Sequence, residues 1–457
     1  MKYYLAVDIG ASSGRHILAH TEDGVLKLEE IYRFENGPKT KTVGGEEHLV
    51  WDTEYLFGEI LNGLRKAGEL GKIPYSIGID TWGVDYALLD ENDGLIGEVF
   101  CYRDQRTDKT VPEVHKIIPE SELFAKTGIA FATFNTVYQL YDDKLTGKLD
   151  KAKSFLMLPD YFHFLLTGNK LQEYTMATTT GMLSAATHEW DTEIMNKLGY
   201  KREIFNSPTQ PSSRVGELLP EIQKLVGYNA SVTLPATHDT ASAVLAAPLL
   251  DGAPYISSGT WSLLGVEQSY AHTDEGSRVT GYSNEGGLNY TYRLQKNIMG
   301  LWIIQQVRHE LDDKYSFAEL ADMARANPIS DTIDVNEKRF LAPKSMIDEI
   351  HGSVGRKLTV GECAYLILNS LALSYRESLL DLESVTGEKY DTLHIFGGGC
   401  KNTLLNELTE KYTGKKVLAG PTESTALGNL LLQMIGTGEL RDINEGRALV
   451  IKSFEIK

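Results

Sequence analysis

The stretch Tyr4–His20, YLAVDIGASSGRHILAH, constrains this chain more than any other. An apolar run ends in Asp8, a Gly/Ser turn follows, and a second β-prone run completes a hairpin. Small residues from Gly10 to Gly14 let the main chain approach an anion closely, and the amides of such a turn form an anion-binding concavity. Asp8, at its mouth, is a carboxylate able to hold Mg²⁺ directly or through water. A related pattern returns at Tyr255, YISSGTWSLLGV. Singly, each is more often a plain structural hairpin. Both carry hydroxyls, however, and neither has the short Asn-Gly turn that a purely structural hairpin prefers. Two such hairpins in two halves predict a nucleotide clamped between lobes.

At 457 residues the chain is too long for one core and suits two large lobes. Its formal net charge of −18 argues against a nucleic-acid partner and against anionic membrane surfaces. No signal peptide precedes Asp8 and no apolar run is long enough to span a bilayer, so a cytoplasmic protein is expected. Cys101, Cys363 and Cys400 are odd in number and far apart, which fits free thiols better than a disulfide framework, and none forms a CxxC pair.

Along the chain, Asp23-Gly24 signals a turn and Val25 to Phe34 a third antiparallel strand. Asp52 is placed to N-cap a helix in which Leu56, Ile60 and Leu64 repeat every four residues. Ser76 to Asp80, SIGID, reads as a buried strand leading into the turn TWGVD. Three antiparallel strands, a helix and another strand are the opening of an actin-like, ribonuclease-H-like ATPase lobe. Residues 104–234 read as mainly helical, with LPDYFHFLLTG as a helix closed by Gly168. The second lobe predicts a long helix from Ala364 to Leu382, a strand at Leu393 to Phe396, three glycines, a helix from Asn402, the strand KKVLAG and a helix near Ala426. The expectation is an α/β architecture of two lobes, 1–243 binding sugar and carrying the base and 244–457 binding ATP, with the active site in the cleft between them.

Neither GxxxxGK[ST] nor GxGxxG occurs, so the nucleotide must be held by hairpins and loops. GGGCKN, Gly397 to Asn402, is a third candidate: glycines admit a base or ribose against the backbone, and the following helix presents free N–H groups. A tight structural turn reads equally well there. Asp239, flanked by His238 and Thr240, is placed to accept a proton from a bound hydroxyl, or else to N-cap a helix. Its position where two phosphate-binding lobes would meet favours the base. Phosphoryl transfer needs anchored phosphates, Mg²⁺ and an oriented hydroxyl, and a candidate exists for each. In IDTWGVD, Ile79 to Asp85, Trp82 suits the face of a sugar and the carboxylates its hydroxyls; a core Trp with two solvated aspartates is the alternative.

These residues resemble the FGGY carbohydrate kinases over essentially the whole chain. The segments that carry the resemblance are VDIGASSGR, IGIDTWGVD, YRDQRT, MLPDYF, EYTMATTT, HDTASAV, SSGTWSL, KNIMGLW and GGGCKN. Many members have Gly-Thr-Thr/Ser-Ser in the first hairpin; Gly10-Ala11-Ser12-Ser13-Gly14-Arg15 is the pattern of one branch. The resemblance implies ATP-dependent phosphorylation of L-rhamnulose at its 1-hydroxyl, for L-rhamnose breakdown. It implies Asp239 as general base and Asp8 near Mg²⁺. Ala11, Ser12, Ser13, Gly14, Arg15, Thr260, Gln305, Gly398, Gly399 and Asn402 match ATP-side positions; Gly83, His238, Asp239, Thr240 and Asn297 match sugar-side positions. Thr237 stands where relatives would have Ser. A kinase for another deoxyketose or a pentulose, such as fuculose or xylulose, is the neighbouring reading. A nucleotide-switched ATPase of the same fold would need no hydroxyl base, and the intact Asp8 and Asp239 speak against a silent sugar sensor.

Overall fold

β-Branched and aromatic residues over the first 35 positions, broken only at Gly10–Ser12 and Asp23–Gly24, set up three antiparallel strands: β1 (Tyr3–Ile9), β2 (Ser13–Glu22) and β3 (Val25–Glu35). The computed structural model describes residues 1–249 and 252–456. Asp52 Oδ1 accepts from Tyr55 N at 2.9 Å and so starts helix α1 (Thr53–Glu69), which buries Leu56, Ile60 and Leu64. Strand β4 (Pro74–Thr81) then runs parallel to β1. With β5 (Arg214–Glu217) and β6 (Ser231–Thr233) these strands form a six-stranded sheet in the order β5-β6-β4-β1-β2-β3. The run read as helical includes α2 (Leu158–Thr167), which Gly168 ends at φ +73°.

The chain forms two units. The first comprises Met1–Ala246 together with two later segments, Gln268–Leu294 and Thr425–Ser453. This differs from a linear division at 243/244, and the reason is side-chain pairing that no local pattern announces. Arg278 bonds Glu120, Asn284 bonds the carbonyl of Gly128, and Arg447 reaches the carbonyls of Val244 and Leu245. Helix α3 (Asp239–Ala246) sits in this unit.

The second unit comprises Ala247–Glu267, Gln295–Ser424 and Phe454 onward. Its sheet repeats the scheme of the first. Strand β7 (Tyr255–Ser258) is antiparallel to β8 (Trp261–Gln268) and parallel to β10 (Thr392–Phe396), which is parallel to β11 (Lys416–Ala419). β9 (Tyr292–Met299) flanks β8. Helices α4 (Trp302–Glu310), α5 (Val360–Thr386) and α6 (Thr403–Thr413) belong here, and α5 opens with a capping box between Thr359 and Glu362. Helices α7 (Ser424–Gly436) and α8 (Ile443–Ser453) come next in the chain and, from Thr425 on, belong to the first unit. Gly428 of α7 permits close approach to α3, since a Cβ there would stand 1.8 Å from the Ser242 carbonyl oxygen. All three cysteines are free and buried, and no described helix is long and apolar enough to cross a membrane.

Candidate active site

Parallel strands deliver Asp8 and Asp80 to the same register on β1 and β4. Arg15, across the hairpin from Asp8, donates to Asp8 Oδ2 through Nε at 3.0 Å and Nη2 at 2.8 Å. The turn between them is closed by Gly10 N–H to the Ser13 carbonyl, and Asn36 clasps it through the carbonyls of Gly10 and Ser12. Ser12 is exposed and Ala11 and Ser13 are half-buried, so this turn presents backbone to solvent. Gly14 has a packing reason to be small as well: a Cβ there would lie 2.1 Å from the Phe34 ring.

At the end of β4, the Thr81 amide donates to the Thr237 carbonyl, which sets the segment bearing His238, Asp239 and Thr240 beside Asp80 and Thr81. Glu173, fully buried, holds the same segment by accepting from Thr237 N at 3.1 Å and Thr237 Oγ1 at 2.9 Å. The hydroxyl is therefore what this position uses, and Thr supplies it as Ser would. Asp239 Oδ1 accepts from Thr240 N and Thr240 Oγ1, at 2.5 and 3.1 Å. The first helical bond of α3 runs from Ser242 N to the His238 carbonyl. Asp239 thus stands inside the first turn, not at the N-cap position. Its recessed setting raises its carboxyl above the ordinary range; His238 opposes this and Asp8 adds to it.

IDTWGVD turns out to be core. Trp82 is buried with its ring 4.2 Å from that of Trp51, and both indole N–H groups donate to Asp85 Oδ2, at 2.8 and 2.6 Å. Neither Asp80 nor Asp85 is solvated, and Trp82 offers no sugar-binding face. Gly83 lies just past the end of β4 beside which the His238–Thr240 segment runs, with Val84 following at φ +70°, a strained conformation for a β-branched residue. Thr179 Oγ1 accepts from Val84 N and Thr136 Oγ1 donates to the Val84 carbonyl, which holds that strain in place.

In the second unit the β7–β8 turn is braced by α4: Leu301 and Trp302 amides donate to the carbonyls of Gly259 and Thr260. Gly300 is required there, because a Cβ would fall 2.5 Å from the Trp261 carbonyl carbon. Thr260 Oγ1 donates to Gln305 Oε1 at 3.3 Å, which joins two of the ATP-side candidates. The three glycines differ in purpose. Gly397 has φ +82°, Gly399 would place a Cβ 2.0 Å from Ser258 Oγ, and Gly398 faces open space with nothing within 4 Å. Asn402 spends its Oδ1 as the N-cap of α6, accepting from Leu405 N. Asn297 is exposed on β9, lining a groove with Ile298, Asp334, Asn336 and Ser374.

Three side chains that sequence reasoning left without a role support the first unit's site: Glu173, Glu285 and Arg293. Glu173 heads EYTMATTT, where an acid before a Thr-rich helix start was a usable signal; Glu285 and Arg293 come from a remote segment and carried none. Among the described residues no group of three His, Cys, Asp or Glu side chains forms a metal cage. Asp8 alone suits an ion that keeps its waters and shares phosphate oxygens.

The chain belongs to the FGGY family of carbohydrate kinases. The family's N-terminal domain matches residues 3–246 and its C-terminal domain residues 254–437. The chain is 45% identical to the rhamnulokinase of Halalkalibacterium halodurans over 465 aligned residues, covering 100% of this chain and 98% of that one. It is 42% identical to the rhamnulokinase of Bacillus subtilis, covering 99% and 94%. A gluconate kinase from Lactobacillus acidophilus (TM-score 0.80, 18% identity, 98% and 92% covered) and Plasmodium falciparum glycerol kinase with ADP (TM-score 0.80, 16% identity, 100% and 94% covered) share the fold. That fold is the two-domain, actin-like α/β architecture expected from the sequence.

Proposed function

We propose that this kinase transfers the γ-phosphoryl group of ATP to O1 of L-rhamnulose, giving L-rhamnulose 1-phosphate and ADP in L-rhamnose catabolism. The observation that carries the reading is 45% identity across the whole chain to a relative named rhamnulokinase. Asp239 supports the chemistry. Its carboxyl is raised, which makes it a stronger acceptor while ionised, and Thr240 fixes the oxygen that would face the sugar.

In this reading Asp239 takes the proton of the 1-hydroxyl as that oxygen forms its bond to the γ-phosphorus. The bond from that phosphorus to the β–γ bridging oxygen breaks, and the electron pair leaves with ADP. His238 and Thr240 orient the sugar beside Gly83, with Asn297 as a further sugar contact. On the nucleotide side, Ala11 to Arg15 present backbone and a cation to phosphate. Thr260, Gln305, Gly398 and Gly399 hold the nucleotide, and the open side of Gly398 leaves room for it. Mg²⁺ supplies charge neutralisation at the transferring group when bound, and Asp8 would hold it directly or through water. With ATP as the second substrate, the reaction belongs in the cytoplasm.

The test is ADP release over a panel of ketoses that includes fuculose and xylulose. Fastest turnover per KM on L-rhamnulose supports the assignment. A tenfold preference for another ketose removes the substrate while leaving the kinase.

A further inference from the structure

Behind His238 lies a cluster that no step above uses. Arg293, 1% exposed, donates through Nη2 to Glu285 Oε2 at 3.0 Å and through Nε to the Gly286 carbonyl at 3.1 Å. His238 Nδ1 lies 3.1 Å from the same Glu285 Oε2 and 3.2 Å from Arg293 Nη2. On the far side of the ring, His238 Nε2 lies 3.5 Å from Asp239 Oδ1. The segment carrying Glu285 is locked down, since Gly286 N donates to Thr178 Oγ1 and a Cβ at Gly286 would stand 2.6 Å from the Tyr174 ring.

We propose that Glu285, pinned by Arg293, is a positioning residue that accepts a hydrogen bond from Nδ1–H of His238, keeps the proton there and thereby leaves Nε2 as an acceptor facing the sugar. This rests on the kinase reading and deepens it. Two tautomers compete. With the proton on Nδ1, Glu285 Oε2 accepts from both His238 and Arg293; the mismatched pairs are then Nδ1 with Arg293 Nη2 at 3.2 Å and Nε2 with Asp239 Oδ1 at the longer 3.5 Å. With the proton on Nε2, Nδ1 accepts from Arg293 Nη2 and Nε2–H faces Asp239 Oδ1, but the lone pair of Nδ1 then also faces a carboxylate oxygen at 3.1 Å, the shortest of the three contacts and a repulsion between acceptors in a recessed site. The charge-assisted bond to carboxylate selects the first. The consequence lies at the other end of the ring, where two acceptors, His238 Nε2 and Asp239 Oδ1, stand side by side. A ligand presenting adjacent hydroxyl donors satisfies both, one hydroxyl to Asp239 for activation and its neighbour to His238 for recognition.

Glu285→Ala removes the shared acceptor, so Arg293 Nη2 donates to Nδ1 instead and the proton moves to the other nitrogen, leaving Nε2–H to bond Asp239 in competition with the sugar. The KM for L-rhamnulose is expected to rise about tenfold, the scale of one lost polar contact, while the KM for ATP stays unchanged. Imidazole ¹⁵N spectra at about pH 8, above the ordinary histidine range, report the tautomer directly. The His238 signal is assigned by its loss in His238→Gln. Wild type should carry the proton on Nδ1 and Glu285→Ala on Nε2. A proton on Nε2 in wild type overturns the proposal, as does a folded Glu285→Ala enzyme with unchanged ketose KM. If Glu285→Ala does not fold, the wild-type spectrum decides alone. Absence of sugar-dependent ADP release in wild type would remove the kinase reading, with the tautomer still decided by the spectrum.

Discussion

Asp80 lies directly opposite Asp8 in the parallel register of β1 and β4, yet the two carboxylates have unlike partners. Asp8 is bound by a guanidinium, whereas Asp80, fully buried, receives only the amide of Asn429, at 2.6 Å to Oδ2. Asp80 Oδ1 has no hydrogen-bond partner among the described residues. Burial, followed by the charge of Asp8, pushes the Asp80 carboxyl well above the usual range.

An uncharged isostere should therefore suit this place. Asp80→Asn keeps an acceptor for Asn429 and is expected to melt at or above the wild-type temperature at neutral pH. Asp80→Ala strands the buried amide and should cost about 1–3 kcal/mol. Thermal melts of the two variants check this, and equal destabilisation by both would refute it.

Asp239→Asn preserves the bonds from Thr240 while removing the carboxylate proposed as proton acceptor. Turnover should fall about 10²–10⁴-fold with both substrates still binding. Calorimetric titration with ATP and ketose, run beside the rate assay, separates lost chemistry from lost binding.

Removing the carboxylate of Asp8 should move the Mg²⁺ dependence as well as the rate, because the metal neutralises the transferring group. A Mg²⁺ titration of Asp8→Ala activity is expected to shift to higher concentration. An unshifted curve would reduce Asp8 to a partner for Arg15.

Asp85 sets a pH dependence of stability. Burial raises its carboxyl to about 6, against the opposing bonds from Trp82, Trp51 and Gln139. As pH rises from about 4, the unfolded chain gives up this proton first and the folded protein keeps it until about 6. Stability from this group therefore falls across that window and is level above it. Asp85→Asn still accepts from both indoles and should gain on wild type in Tm between those limits, as paired melts would record.

Gly398 and Gly399 should respond differently to one added methyl group. At Gly399 it would meet Ser258 Oγ at 2.0 Å, and overpacking of this kind costs about 1–3 kcal/mol. At Gly398 it meets nothing, so Tm should hold and the effect should fall on the KM for ATP. A lowered Tm for Gly398→Ala with unchanged ATP kinetics would assign this glycine to folding alone.

What the sequence disclosed followed local physics. Both hairpins, the Asp52 cap, the Gly168 stop and the run of strands and helices after Ala364 depend on contacts within a few residues, and periodicity and turn chemistry report such contacts. IDTWGVD misled because a Trp beside two aspartates looks alike whether it faces a ligand or the core; only the second indole, Trp51, decides it. The hairpin Lys39–Val43 and Glu46–Trp51 was not foreseen, since its charged, largely exposed strands lack the buried alternation that marks β1 and β4. The packing reason for Gly14 was not legible, because its neighbour Phe34 comes from a different strand. Glu285 and Arg293 were invisible for the same reason: their meaning comes from His238, 47 and 55 residues away, respectively.

Helix α7 has a consequence for biosynthesis. Asp80 and Asn429 are 349 residues apart, and Gln433, which steadies Asn429 and caps the Leu5 carbonyl, comes later still. At about 5–20 residues per second, a nascent chain carries the central strands of its first sheet for tens of seconds before their amide partners leave the ribosome. The part synthesised first is thus the part completed last, and a ribosome that stalls before Asn429 leaves a sheet with a buried acid and no partner for it.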